Sequence, residues 1–437
     1  MRRRGTMLRA LGFGWMALVL AGCGGGGGGG GSFDSTPVLS NLRYLPDSAL
    51  QFDGDGQTAI SGTFDFSDPG ADLASVTLST SQGSALTTPV LDAARLKSGT
   101  ITGVVLVDTR VIGRYTFEVY VTDSAGNRSN TLAGTFDVKV NDTANRWTVR
   151  SLPLPSGSAV KLQEVARNPS LYAAVGEGIF TSPDAVTWTE RQSGVSQVLN
   201  DVIWANGRFV AVGNGGTVLT STDGASWVLQ QVPAAVEPVL RGVAASGNRY
   251  VAVGSQWSTA NSTYQELILT SPDGVSWSKA SQSLSMYLHD VIWSGTQFVA
   301  VGSQVGGTNS EAAVLVSADG VTWTKHLVGA LTVLQDIAWN GSRFVATGYG
   351  GAASSPDGIV WTQVGQGSVS GGAIAWSGQR FLTCGTVYCQ SSVDGVQWNG
   401  TAQLPGTGPH VNGLTWGDTK WVAVGQAANA SLVLTSP

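Results

Sequence analysis

"NRWTVRS" (residues 145–151) passes through a tryptophan into a short strand. Six later stretches end the same way. "IFTSPDAVTW", "VLTSTDGASW", "ILTSPDGVSW", "VLVSADGVTW", "AASSPDGIVW" and "CQSSVDGVQW" each run from an apolar strand through a tight turn to Trp188, Trp227, Trp277, Trp323, Trp361 or Trp398. The last residues, "SLVLTSP" (431–437), supply the apolar strand with no tryptophan strand after it. The segment at Trp147 is thus a fourth strand without its first three, and the C-terminal segment is three strands without a fourth. Joined, they complete one sheet, and the unit over 145–437 becomes a ring of seven four-stranded sheets closed by its two ends. Such a ring leaves only short outer edges.

The repeat has a period of about forty residues. In "LNDVIWANGRFVAVGNGGTVLTSTDGASWVL" (199–229) strand A is "DVIW", strand B "FVAVG" and strand C "VLTS", with strand D starting at the tryptophan. Trp204, Trp293, Trp339, Trp376 and Trp416 close strand A. Tyr172, Phe209, Tyr250, Phe298, Phe344, Phe381 and Trp421 share one place in strand B. Asp184, Asp223, Asp273, Asp319, Asp357 and Asp394 recur in the C–D turn. Aspartate there bonds local backbone, and the glycine after it takes a left-handed conformation, so these aspartates read as turn builders.

This pattern resembles the β-propellers built from Asp-box repeats, with one residue missing between Asp and Gly, as in "STDGASW". Bacterial sialidases and photosystem II assembly-factor-type propellers carry the fuller box. The resemblance implies a propeller fold, and in that family the motif is structural. Sialidases clamp a carboxylate sugar with three arginines. Here Arg208, Arg249, Arg343 and Arg380 sit in A–B turns, and Arg241 alone lies near the opposite face. Without an arginine triad, a serine elbow, a phosphate loop or a metal motif, the expectation is a chain that is not an enzyme. The alternatives are a glycoside hydrolase-like enzyme, which needs two carboxylates at a defined separation, and a purely structural envelope protein.

The A–B and C–D turns are short and constant, so the B–C loops and D–A crossovers form the variable face, where recognition is expected. "SQWSTANSTYQE" (255–266) reads as a long B–C loop holding Trp257, the one mature-chain tryptophan off the repeat, and Tyr264. Both suit stacking on sugar rings or anchoring a protein. Strand A is expected to line the channel, its first position carrying Glu164, Asp201, Asp290 and Asp336, with Gly242, Ala373 and Gly413 in the other blades. One residue earlier stand Gln163, Asn200, Arg241, His289, Gln335 and Asn412. The ligand-binding expectation therefore names Trp257, Tyr264, Arg241, His289, Glu164, Asp201, Asp290 and Asp336, with no cofactor. Cys384 and Cys389 flank the B–C loop of blade six and are placed to form a disulfide.

Ahead of the repeat, residues 36–141 read as alternating strands. "GRYTFEVYVTDSAGNRSN" (113–130) resembles the last hairpin of bacterial immunoglobulin-like and cadherin-like modules, which implies a β-sandwich with Tyr115, Phe117, Val119 and Val121 in one inward row. Asp65, Asp68, Asp72 and Asp123 are calcium candidates, although their spacing matches no tight calcium loop. Residues 1–22 have a basic start and an apolar run too short to span a membrane. The run ends in "LAGC" (20–23), which resembles the lipobox of bacterial lipoproteins. That resemblance implies acylation of Cys23, a glycine tether over 23–35 and, with Gly24 rather than aspartate next, an outer-membrane lipoprotein facing the periplasm or the surface. A formal charge of −5 gives no electrostatic reason to bind nucleic acid, so the expected partner is a glycan or an envelope protein.

Overall fold

A computed structural model describes residues 16–17, 35–51, 57–80, 85–89, 96–109, 111–139, 141–260, 262–280, 284–305, 311–329, 331–365, 372–417, 419–428 and 430–436. Apart from Met16, Ala17 and Ser35, the leader, Cys23 and the tether lie outside them. Among the described residues the fold is all-β, and no helix is long and apolar enough to cross a membrane. The chain divides into Met1–Asn141 and Asp142–Pro437.

The first unit holds two sheets. One has five strands, in the order Ser48–Leu50, Leu132–Lys139, Gly113–Asp123, Leu73–Thr80 and Ala85–Pro89. The other runs Met16–Ala17, Ser98–Asp108, Gln57–Ser67 and Val38–Leu45. Leu39, Phe64, Phe66 and Ile101 of one sheet share a core with Leu73, Val76, Val119 and Val121 of the other. Along Gly113–Asp123, Tyr115, Phe117, Val119 and Val121 alternate inward as period-two patterning requires. The Tyr115 hydroxyl donates to the Val111 carbonyl at 2.7 Å.

The second unit holds seven four-stranded antiparallel sheets. Six run A-B-C-D in chain order. The seventh is Thr148–Val149, Ala430–Ser436, Lys420–Ala427 and His410–Gly417, in that order. Thr148 pairs with Thr435 and Val149 with Leu434, and Arg150 adds an N–H donated to the Val433 carbonyl at 2.8 Å. Each core cluster joins neighbouring sheets. Leu162, Tyr172 and Phe180 of the first sheet pack with Val422, Val424 and Val433 of the last.

Packing inside a blade follows the aromatic positions. Trp204 lies 4.7 Å from Phe209 between ring centroids, and Trp293 lies 4.5 Å from Phe298. Phe209 and Phe298 are almost fully buried, which is worth about 2–3 kcal/mol for each ring. Strand A carries a bulge at its acid, with register shifts at Leu199/Asp201, Leu288/Asp290 and Leu334/Asp336. The strand therefore begins earlier than "DVIW", and the acid is not its first residue. Opposite the bulge the strand B glycine is obligatory: a Cβ at Gly302 would lie 2.0 Å from the Tyr287 carbonyl oxygen. Strand D begins one residue after its tryptophan, at Thr189, Val228, Ser278, Thr324, Thr362 and Asn399. In the first five blades the tryptophan closes the turn instead, its indole N–H donating to the carbonyl three residues back, as Trp277 does to Gly274 at 3.0 Å.

Candidate functional site on the variable face

The six turn aspartates are fully occupied. Asp273 Oδ1 accepts the N–H groups of Val275 at 2.9 Å and Ser276 at 2.7 Å and the Ser271 hydroxyl at 2.9 Å. These donors hold its pKa down to about 2, and those around Asp319 do the same. Gly274, at φ 76°, takes the left-handed position, and Ala185 takes it at φ 61° in the first blade.

The four strand A acids have a different duty from the one expected. Each bonds the backbone of its own strand and of an adjacent blade. Asp201 accepts from Val202 at 2.6 Å and from Val243 of blade three at 2.6 Å. Asp290 accepts from Val291 at 2.7 Å and Ile337 of blade five at 3.2 Å. Asp336 accepts from Ile337 at 2.7 Å and Ile374 of blade six at 2.7 Å. Glu164 accepts from Val165 and from Leu414 of blade seven. They act as staples between blades, a structural duty that sequence reading did not assign to them. Burial pushes Asp201 up to about 7 and Asp336 up to about 6. Burial and the neighbouring carboxylates raise Glu164 and Asp290 further above the usual range. Asp290 and Asp336 share a side-chain hydrogen bond, with Asp290 the partner driven toward protonation. Where the acid is missing, a neighbour's backbone has come in: a Cβ at Gly242 would lie 2.7 Å from Asp290 Cα, and one at Gly413 2.5 Å from Glu164 Cα.

The aromatic candidates do converge. Trp257 lies in a strand and not in a loop, because strands B and C of blade three extend to Tyr250–Ser258 and Thr263–Ser271. Trp257 and Tyr264 are cross-strand partners, with centroids 5.2 Å apart, edge to face. Tyr264 lies 6.1 Å from Tyr287, which lies 5.4 Å from His289. The Arg241 guanidinium sits over Tyr287, 4.4 Å from the ring centroid, within cation–π range. It donates to the Tyr287 hydroxyl at 2.6 Å and to the Ser255 hydroxyl at 2.9 Å. Tyr264 donates to Glu237 at 3.1 Å. Burial, then the Arg241 charge, lowers His289 to about 4, so its imidazole is neutral at neutral pH. Burial also lowers Arg241 from its ordinary value. Tyr287 and Glu237 are the members that sequence reasoning missed. The signal for Tyr287 was present: it stands two residues before His289, on the same face of a strand that starts at Met286.

Three other expectations have definite placements. Cys384 and Cys389 are directly paired across strands B and C and form a disulfide, with Cα atoms 4.1 Å apart. Glu266, one of the carboxylates the sequence offers for a glycoside hydrolase-like pair, with Asp201, Asp290 and Glu311, is buried and accepts the N–H groups of Leu284 at 2.7 Å and Met286 at 3.1 Å. In the first unit, Asp65 accepts from Asn41 and Thr100, Asp68 from the Asp72 N–H, Asp72 from the Ser124 hydroxyl, and Asp123 from Ala125 and Asn127. No group of acidic, histidine or cysteine side chains among the described residues has the geometry to hold a metal ion.

No family model matches the chain, and no curated protein matches it. Among solved structures it is similar to propeller-type folds. The Dos1 propeller is 10% identical, with 67% of this chain and 94% of that chain covered and a TM-score of 0.43. The extracellular domain of the one-component system BT4673 from B. thetaiotaomicron is 10% identical, with 67% and 40% covered and a TM-score of 0.48. The acylaminoacyl peptidase of Pyrococcus horikoshii is 9% identical, with 64% and 51% covered and a TM-score of 0.43. At such identities the likeness concerns fold alone. A peptidase stands among these structures, so the comparisons lend no support to the expectation that the chain is not an enzyme, and that expectation is not carried further.

Proposed function

We propose that this chain is an envelope lipoprotein, held at the outer membrane through Cys23, whose immunoglobulin-like module precedes a closed seven-bladed propeller of Asp-box-like repeats. Closure is supported by the pairing of Thr148–Val149 with the last strand and by the core shared between first and last sheets. The propeller serves as a recognition module that takes a protein partner on its variable face. One observation carries this reading: Trp257 and Tyr264 on the extended hairpin of blade three, Arg241 on its strand A and Tyr287 on strand A of blade four lie side by side, half-buried. Trp, Tyr and Arg are the residue types that dominate interface energetics, and a hairpin of paired strands presents them with little entropy to lose on binding.

The test is a peptide array and a glycan array probed with the wild type, Trp257→Ala and Tyr264→Ala. Peptide signals that drop about tenfold or more in both variants, an effect of about 1.4 kcal/mol, support the reading. Signals indifferent to both changes remove this face from consideration, and glycan signals that alone depend on Trp257 replace the protein partner with a sugar.

A further inference from the structure

Arg241 departs from its sister residues in a way that identifies the ligand. At the same place in blades two and seven stand Asn200 and Asn412, and both staple blades together. Asn200 donates to the Leu240 carbonyl at 2.7 Å, and Asn412 to the Leu162 carbonyl at 2.8 Å. Asn200 also donates to Asn214, the residue after the strand B glycine. Arg241 keeps only that second contact, through the equivalent Ser255, and turns its other arm to the Tyr287 hydroxyl. A neutral amide would have served the blade junction without bringing a charge out of water. Removing a guanidinium from water is costly unless it is paired. No carboxylate among the described residues lies within ion-pair distance of it. The acids nearby are engaged elsewhere: Glu237 accepts from Tyr264, and Asp290 from two backbone N–H groups. His289 beside it is neutral at neutral pH and offers no anion.

We infer that Arg241 is the docking point for a carboxylate of the ligand, and that the partner of the variable face is an acidic peptide segment. This rests on the variable-face reading above. A guanidinium presents a planar donor fork that matches a carboxylate. Tyr287 holds it from one side, and Tyr264 and Trp257 continue the surface as an aromatic platform for the apolar parts of the same segment.

The experiment is calorimetric titration of the chain with an acetylated glutamate–tyrosine peptide, its glutamine–tyrosine counterpart and a polygalacturonate oligomer. The acidic peptide binds, its affinity falls with added salt, and Arg241→Gln weakens it about tenfold or more, an effect of about 1.4 kcal/mol. Arg241→Lys restores part of the binding, and Lys420→Ala, on the last blade, leaves it unchanged. Equal binding of the glutamine peptide overturns the inference without any appeal to a variant that might misfold. Binding of polygalacturonate in place of the peptide overturns the peptide class. Array signals that need Trp257 but neither acidic residues nor Arg241 defeat this inference and leave the proposed function standing. Signals independent of Trp257 defeat both.

Discussion

The propeller repeat uses carboxylates in two places, and the two sets live in opposite environments. At the C–D turns, six aspartates sit at the surface, and each gathers hydrogen bonds from its own turn. In the strand A bulges, four acids are drawn from water and bond across blade boundaries. The first set is local, contributes within one hairpin and is pushed to low pKa by its donors. The second is long-range, ties blades to one another and is pushed upward by burial and mutual repulsion. Cohesion between blades therefore depends more on the four inner acids than on the six outer ones, although the outer ones are the conspicuous repeat.

The sharpest way to break the inner set is through its neighbours. Gly242→Ala places a Cβ within 2.7 Å of Asp290 Cα, where backbone has no room to give. Overpacking of this kind costs about 1–3 kcal/mol or more. It falls on the junction of blades three and four, so we expect the largest loss of folded yield and of thermal midpoint of any change named here. A variant as stable as the wild type would show that the blades are not in fact pressed together there.

Next in size is Asp201→Ala. It leaves two buried N–H groups, of Val202 and Val243, without their acceptor, a penalty that is partly offset because a buried carboxyl is removed with it. The charge removed was itself disfavoured by burial and then by Asp336, so part of the loss returns at high pH. Denaturant unfolding at pH 5 and pH 8 should show the variant's deficit shrinking as pH rises. Asp273→Ala, whose N–H partners face water, should cost less, with no such dependence between those values.

The same contrast fixes the pH profile of the wild type. An acid whose folded pKa lies above its unfolded one supports the fold at low pH and loses that contribution as pH rises through the folded value. For Asp201 and Asp336 the window runs from about 4 to about 7. The turn aspartates, lowered to about 2 in Asp273 and Asp319, lose theirs only as pH falls below about 4. His289, lowered to about 4, works against the inner acids as pH falls from about 6.5, but it is one group against several. The melting temperature is thus expected to be higher at pH 5 than at pH 8. A flat or rising profile over that interval would contradict the assignment of raised pKa values to the bulge acids.

Legibility in the sequence followed the same division. The outer turns were readable because all their determinants lie within seven residues, from Ser271 to Trp277 in the third blade. The strand pairing of Trp147's segment was readable from repeat spacing. The inner staples were not, because the partner of Asp201 is Val243, 42 residues on, and because a bulge resets the alternation on which strand patterning depends. The same reset left Tyr287 outside strand A and thus outside the expected site. Trp257 reads as a loop residue because the polar "STAN" (258–261) interrupts the apolar pattern, while the alternation on either side pairs it with Tyr264.

The smallest effect tests the outer turns alone. Five of the six place glycine at the left-handed position, but the first uses Ala185 at φ 61°. A side chain there costs about 1–2 kcal/mol in backbone conformation. Its methyl is fully buried against the core of the first and last sheets, which offsets about 0.8 kcal/mol. Ala185→Gly relieves the backbone, forfeits the methyl and pays glycine's chain entropy, so the net change in unfolding free energy should stay within about 1 kcal/mol. The reverse exchange is not its mirror image. Gly320→Ala would bring a Cβ to 2.7 Å from Val251 Cγ2, against the blade before it, and should be clearly destabilising. If the two exchanges prove equal and opposite, the turns answer only to their own backbone, and the contact between a blade's outer turn and its neighbour contributes nothing to stability.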